Sequence, residues 1–166
     1  MNAGAYDGEM KDAVVSAEVM TRAGEVKTLS SEDLQFAYRH SALQSSDVIV
    51  LKVTLQVKKG DKEAIRAKME DFSQRRISKQ PLDMPSAGST FKRPEGRFVG
   101  QMVEESGLKG FRIGGAEVSV KHAGFIVNAD HATAEDVLQL IAFIRNKILE
   151  NYNVVLVPEV LVLGEE

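Results

Sequence analysis

Over residues 47–58 apolar and polar positions alternate, with Ile49, Leu51, Val53, Leu55 and Val57 on one face and Lys52, Thr54, Gln56 and Lys58 on the other. This period of two predicts a half-buried strand. Upstream, residues 13–20 and 25–29 are short β-type runs separated by Ala23-Gly24, the pattern of a hairpin. Ser30-Ser31-Glu32-Asp33-Leu34 places capping hydroxyls ahead of acids, which predicts one helical turn before an irregular stretch over 36–41. At Lys59-Gly60-Asp61 the period changes. Ile65, Met69 and Phe72 recur at helical spacing through 61–79, with acids leading and Arg75, Arg76 and Lys79 trailing, an order that suits the helix dipole. Pro81 stops that helix, and residues 81–96, carrying Pro81, Pro85 and Pro94 with Gly88 and Gly96, read as an ordered or working loop. A short helix over 97–105 is expected to end at Gly107, followed by turns at Gly110, Gly114 and Gly115 and a strand over 122–128. The strongest helical signal covers 133–152, where Val137, Leu140, Ile141, Ile144 and Ile148 recur every three or four residues behind a capping-box pattern, Thr133-Ala134-Glu135-Asp136. Residues 154–157 and 160–163 are strand-like runs broken by Pro158, which lacks a ladder donor and favours an edge or a bend. Strands and helices mix without a regular βαβ repeat, so the fold class is α+β, with a domain boundary expected at 58–61.

Charge and composition narrow the partners. The 21 Lys and Arg against 24 Asp and Glu leave a formal charge of -3, which gives no basic field for nucleic acid. Without cysteine there is no disulfide, thiolate nucleophile or Cys-based zinc site, and three scattered histidines do not make a metal site. No apolar run approaches the roughly 20 residues that cross a bilayer, and residues 1–6 lack the basic and apolar regions of a secretory signal. The expected compartment is the cytoplasm. At 166 residues and 43% hydrophobic, the chain suffices for one sizeable core or two small ones.

Residue by residue, the local readings stay open. Ser89 is a turn or capping hydroxyl as readily as a reactive one. Arg39 reads as a surface arginine, and Lys79 as the basic end of a helix. Glu159 reads as an edge carboxylate facing water. Gly114 and Gly115 are turn glycines first and a phosphate cradle second. His122 and His131 have no paired ligand at a metal-binding spacing and read as structural.

Five stretches, taken together and in order, change this picture. They are Asn2-Ala3-Gly4-Ala5-Tyr6 with Gly8-Glu9-Met10, then Tyr38-Arg39-His40-Ser41, then Pro85-Ser86-Ala87-Gly88-Ser89-Thr90-Phe91-Lys92-Arg93-Pro94-Glu95-Gly96, then Gly110-Phe111-Arg112-Ile113-Gly114-Gly115-Ala116, and finally Pro158-Glu159-Val160. The set resembles the UDP-N-acetylenolpyruvoylglucosamine reductases, the MurB flavoenzymes of bacterial cell-wall synthesis. The resemblance implies FAD and NADPH as cofactors and the reduction of UDP-N-acetylglucosamine enolpyruvate to UDP-N-acetylmuramate. By motif position it implies Ser89 as proton donor, with Arg39 and Glu159 polarising the substrate carboxylate and stabilising the enolic intermediate. It implies substrate contacts from Lys79, Arg93 and Tyr38, and cofactor contacts from Asn2, Gly4, Ala5 and Tyr6, with no metal. The residue types suit the roles. Arginine holds a carboxylate through two parallel hydrogen bonds, and a glutamate beside a second carboxylate is useful only when it shares or carries a proton.

The resemblance also implies how the chain divides: residues 1–58 as the C-terminal remnant of an FAD-binding domain and 59–166 as the substrate-binding domain. The family's glycine-rich pyrophosphate loop precedes the stretch that begins at Asn2, so residues 1–58 are not expected to hold FAD tightly by themselves. The isolated chain is expected to be inactive, and to dimerise or aggregate through an uncovered sheet. Two departures stand out: Leu161 replaces a family arginine, and no tyrosine-bearing loop lies between Val57 and Arg75, as in the shorter Gram-positive form. The competing reading is a stand-alone UDP-sugar binding module without flavin chemistry, with Arg39, Lys79 and Arg93 as anion contacts.

Overall fold

In the computed structural model, which describes residues 1–6 and 8–164, the chain forms two units, Met1–Phe72 and Ser73–Glu166. The first begins with a small antiparallel pair, β1 (Gly4–Ala5) and β2 (Gly8–Glu9). A three-stranded antiparallel sheet follows, in the order β4-β3-β5, from β3 (Val14–Thr21), β4 (Val26–Ser30) and β5 (Val48–Leu55). The expected hairpin is present, and Gly24 turns it at φ +82°. The turn over 30–34 is also present, closed by reciprocal bonds: Asp33 N–H to Ser30 Oγ, 3.2 Å, and Ser30 N–H to Asp33 Oδ2, 2.9 Å.

Val14, Ala17 and Val19 of β3 pack with Leu34 into a small core. Their spacing of three and then two follows from a register shift between Val14 and Ser16, which absorbs Val15 as an extra residue. A second shift corrects the expectation of one continuous apolar face on β5. Lys52 faces Glu18 while Val50 faces Val19, so Leu51 is extra and the alternation reverses there. Val53 and Val50 therefore share the face of Ala17 and Val19, whereas Ile49 lies on the other face opposite Met20. The strand is also not half-buried: Ile49, Val50, Leu51, Val53 and Leu55 are each more than two-fifths exposed.

Helix α1 (Lys62–Lys79) starts where Asp61 Oδ1 accepts from the Ala64 N–H at 2.8 Å, and runs on into the second unit. The expected helix is there, yet no residue of it is buried, and its apolar positions Ile65 and Met69 are exposed.

The second unit is a four-stranded antiparallel sheet, β6-β9-β8-β7, packed with two helices. Its elements in chain order are β6 (Ser86–Ser89), α2 (Val99–Glu105), β7 (Arg112–Ile113), β8 (Ala116–Val118), β9 (Phe125–Asn128) and α3 (Ala134–Tyr152). The segment over 81–96 is thus not all loop, since β6 pairs with β9 inside it. Residues 154–157 and 160–163 form no strands; Pro158 makes one isolated bridge to Phe91. Proline offers no N–H to extend a ladder, so pairing stops with Lys92 N–H to Val157 O at 2.8 Å and Glu159 N–H to Thr90 O at 2.9 Å. Leu140, Ile141, Ile144 and Ile148 of α3 are buried as their spacing required, against Met102 and Val103 of α2 and Val118 and Ile126 of the sheet. Among the described residues no helix is long and apolar enough to cross a membrane.

The start of α3 also fixes the β7–β8 turn. Asp136 Oδ2 accepts from the N–H groups of Thr133 at 2.9 Å and Gly115 at 3.2 Å, and Thr133 Oγ1 accepts from the Asp136 N–H at 3.1 Å. Gly115 does bind an anion, but the anion is this chain's own carboxylate. The Thr133 N–H first, and the Gly115 N–H next, hold the Asp136 carboxyl below its ordinary range. A carboxyl lowered on folding adds stability above its unfolded value, and that stability is lost as pH falls through the folded value. Asp136→Asn should therefore lower the melting temperature near neutral pH and flatten the acid limb of the melting profile, measured by circular dichroism between pH 7 and 3.

Candidate functional site

Ser89 ends β6 at an irregular point in the ladder. Ser86 faces Val127 and Ser89 faces Phe125, three steps on β6 against two on β9, and Gly88 takes up the extra residue at φ +85°. The bulge leaves Ser89 exposed on the wall of a cleft of about 630 Å³, while Thr90 and Phe91 turn inward to 3% and 4% exposure. The cleft is also lined by Arg93, Phe98, Lys121 and His122. The Arg93 guanidinium lies 3.9 Å from the centre of the Phe98 ring, a cation–π stack that orients it.

Lys121 Nζ donates to the carbonyl of Ile77 at 2.8 Å, tying the cleft wall to the last turn of α1, the turn that ends at the exposed Lys79. His122 Nδ1 accepts from the Gly124 N–H at 3.0 Å and the ring packs edge-on to Phe125, at 5.0 Å between centres. An accepting Nδ1 puts the neutral ring's proton on Nε2. Gly100 and Gly124 make room for this ring, since a Cβ on either would lie 3.2 or 3.0 Å from its Cε1. The two acids on the cleft wall are engaged within the chain: Glu104 by Lys109 at 2.7 Å, and Glu105 by Gln101 at 2.7 Å and Tyr152 at 2.9 Å. The Gln101 bond first, and the Tyr152 bond next, keep the Glu105 carboxyl below its ordinary range. Arg93 and Lys121 bring positive charge to this cleft, and Glu104 and Glu105 bring negative charge.

Glu159, half-buried, is 70 positions from Ser89 in the chain, yet the Pro158–Phe91 bridge sets the two segments side by side. Its N–H is bonded to the carbonyl of Thr90, the residue after Ser89.

In the first unit, Tyr38 and Arg39 form a two-residue turn closed by Ala37 N–H to His40 O at 3.1 Å and His40 N–H to Ala37 O at 3.2 Å. Arg39 has φ +52°, an uncommon conformation for a side-chain-bearing residue, and its guanidinium lies 5.2 Å from the Tyr38 ring centre. Asn2, 3% exposed, holds this turn. Its Nδ2 donates to Ala37 O at 3.1 Å and Glu9 Oε2 at 3.0 Å, while its Oδ1 accepts from the Lys11 N–H at 2.9 Å. Glu9 is held below its ordinary carboxyl range first by the Lys11 hydrogen bond and then by Asn2, with the Arg39 charge adding weakly. Gly4 meets Gly8 and Glu9 so closely that a Cβ would lie 2.9 Å from Glu9 Cγ. Ala5 is exposed on β1. Tyr6 stacks on Phe72 at 4.3 Å and donates its hydroxyl to the Phe72 carbonyl at 3.2 Å.

The sequence-identified residues therefore fall into two groups. Ser89, Arg93, Lys79 and Glu159 belong to the second unit, and Asn2, Gly4, Ala5, Tyr6, Tyr38 and Arg39 to the first. Lys121 and His122 were not singled out for a site from sequence. The signal available for them was the pair of glycines, Gly100 and Gly124, whose closeness to His122 only the fold reveals.

A flavin requires more than the first unit offers. Its hollow of about 200 Å³, lined by Asn2, Val14, Ala17, Leu34 and Phe36 among others, is smaller than the roughly 300–1,000 Å³ usual for a ligand of that class. That hollow is too small to hold FAD by itself.

Over all 166 residues the chain is 54% identical to the UDP-N-acetylenolpyruvoylglucosamine reductase of Levilactobacillus brevis and covers 55% of it. It is 52% identical to that of Syntrophomonas wolfei, covering 56%. The crystal structure of the reductase (MurB) from Thermus caldophilus superposes with a TM-score of 0.82 at 39% identity, over 96% of this chain and 56% of that one. The chain thus spans about half the length of the relatives it matches. Residues 80–163 match the domain family described as UDP-N-acetylenolpyruvoylglucosamine reductase, C-terminal domain, and with just over half of its length inside that match, the chain belongs to this family.

Proposed function

We propose that this chain is the substrate-side part of a cytoplasmic FAD- and NADPH-dependent UDP-N-acetylmuramate dehydrogenase, which reduces UDP-N-acetylglucosamine enolpyruvate in peptidoglycan precursor synthesis. The observation that carries the reading is the backbone bridge that lays Glu159 beside the Ser89 loop, with Arg93 and Lys121 on the wall of the cleft that Ser89 lines. In the complete protein a flavin reduced by NADPH supplies the hydride. What this chain contributes is charge stabilisation and a proton. Once one carbon of the enolpyruvyl double bond is reduced, negative charge spreads into the adjacent carboxylate, and the other carbon must be protonated.

Ser89 Oγ–H is the donor. A serine hydroxyl is a weak acid, so it must be fixed against a strongly basic carbon, and the bulge at Gly88 holds it at the cleft wall for that purpose. Arg39 grips the substrate carboxylate through paired hydrogen bonds, and Glu159 acts there by sharing a proton with it. Arg93, Lys121 and Lys79 suit the diphosphate, Tyr38 is assigned to the substrate, and the segment of Asn2, Gly4, Ala5 and Tyr6 to the cofactor. The exposed faces of β5 and α1 weigh against the stand-alone module, because a module complete in itself would cover Ile49, Leu51, Ile65 and Met69. On its own the chain should self-associate through β5, read by light scattering, and should retain no visible flavin absorbance after mixing with FAD and removal of the free cofactor.

Titration of the isotope-labelled chain with UDP-N-acetylglucosamine tests the reading. The expected result is amide shifts at Ser89, Arg93, Lys121 and His122, weakened by Arg93→Ala. Shifts absent at millimolar ligand, or confined to the first unit, would remove the cleft from the substrate site.

A further inference from the structure

We infer that Thr90 is a positioning residue for the proton-transfer step, its hydroxyl locking Ser89 and Glu159 into one register; the inference rests on the roles proposed above for those two residues. Thr90 is 3% exposed although Ser89 beside it is open to the cleft. Its three polar groups go to two segments, the one that forms β9 and the one that carries Glu159. The N–H donates to Gly124 O at 3.0 Å, beside the His122 wall. The carbonyl accepts from the Glu159 N–H at 2.9 Å. The hydroxyl oxygen accepts from the Ile126 N–H at 3.1 Å, in the middle of β9.

That last bond is the informative one. Because β6 bulges between Ser86 and Ser89, which face Val127 and Phe125, Ile126 lies between the two paired positions of β9, and its N–H is met by a side chain instead of a strand carbonyl. The two backbone groups of Thr90 remain in the valine, alanine and serine variants, whereas the hydroxyl remains only in serine. Without it, a buried N–H loses its partner, which favours local rearrangement of residue 90. Residue 90 is bonded covalently to Ser89 and through its carbonyl to Glu159, so its displacement moves the proton donor and the carboxylate relative to each other. A displacement of about 1 Å at a reacting group suffices for rate losses of about a hundredfold. Thr90 itself lies in the protein interior and touches no reacting atom, hence positioning and not catalysis.

The test uses Thr90→Val, Thr90→Ala and Thr90→Ser. In the isolated chain, amide hydrogen exchange should quicken by about tenfold or more at Ile126 and Glu159 in the valine and alanine variants, while α3 amides such as Ile144 keep their protection and serine matches the parent. The second readout is a flavin-loaded hybrid, in which this chain replaces the segment it matches in the Levilactobacillus brevis reductase. There Thr90→Val should slow substrate-dependent oxidation of the reduced flavin about tenfold or more, with KM and NADPH-dependent flavin reduction unchanged, and Thr90→Ser should restore the rate. Should valine prevent folding, the alanine and serine pair carries the same comparison. Parental exchange and parental rates in both hydroxyl-free variants would overturn the inference, as would a serine variant as impaired as alanine, which would assign the effect to the methyl group. An unsubstituted hybrid that binds flavin but never oxidises it with substrate would instead sink the proposed function, leaving the exchange result to be judged separately.

Discussion

Ser89→Ala in the flavin-loaded hybrid should slow substrate-dependent flavin oxidation by roughly 10²–10⁴-fold, the usual contribution of a positioned general acid. Reduction of the flavin by NADPH should proceed at the parental rate, because in the proposed reaction the hydroxyl acts only in the substrate half. Stopped-flow absorbance separates the two half-reactions in one preparation. Stability should scarcely change, since Ser89 is exposed and its partners in the β6–β9 ladder are backbone groups. A substrate step that survives at the parental rate would move the donor elsewhere in the cleft. His122 is then the next group to replace, because its Nε2 carries the ring proton.

The largest loss of stability is expected at a glycine remote from that chemistry. A Cβ on Gly115 would lie 2.0 Å from the carbonyl oxygen of Asp130 and 2.5 Å from the Ala132 nitrogen. Both are backbone atoms of the turn that leads into α3, so no side chain can swing aside. Relief requires moving either the β7–β8 turn or the start of α3, and moving either breaks the Gly115 N–H bond to Asp136. Gly115→Ala should cost about 3 kcal/mol or more, seen as a lower denaturation midpoint for the second unit in urea. Gly96→Ala is the contrasting case: nothing lies within 4 Å of its Cβ position, and its cost comes from φ +66°. Gly115 is not in the left-handed region, so an equal loss at both positions would mean that its close approach is relieved as cheaply as the backbone strain at Gly96.

What the sequence made legible was local. The α3 stripe and its Thr133 cap follow from spacing and from one side chain reaching its own neighbours, so both are readable without a partner. The same holds for the Ser30–Asp33 turn and the β3–β4 hairpin. The β5 stripe was misread because a register shift depends on the strand alongside, and nothing in 47–58 announces that Leu51 is the extra residue. The runs around Pro158 have strand composition, but a strand needs a partner with matching donors, and Phe91 offers a single bridge.

The site divides in the same way. Ser89, Arg39 and Glu159 stood out through motif resemblance, which carries residue identity but not the means of holding the residues in place. That Glu159 is bonded to the Ser89 loop, that Asn2 spends its whole amide on the Tyr38–Arg39 turn and on Glu9 and Lys11, and that Gly100 and Gly124 frame His122, are non-local facts of packing. Apolar periodicity also overstates burial wherever a face has nothing on it, as Ile65 and Met69 of α1 show.

The central claim is that this chain carries the substrate-reducing half of the site, and the most direct measurement is product formation by the unsubstituted hybrid. Supplied with NADPH and UDP-N-acetylglucosamine enolpyruvate, it should convert the enolpyruvyl ether to a product heavier by two hydrogen atoms, UDP-N-acetylmuramate by mass spectrometry, with one NADPH consumed per product. A hybrid that folds, retains flavin and oxidises NADPH with an artificial acceptor, yet leaves the enolpyruvyl substrate unchanged while the Levilactobacillus brevis reductase converts it, would contradict the account.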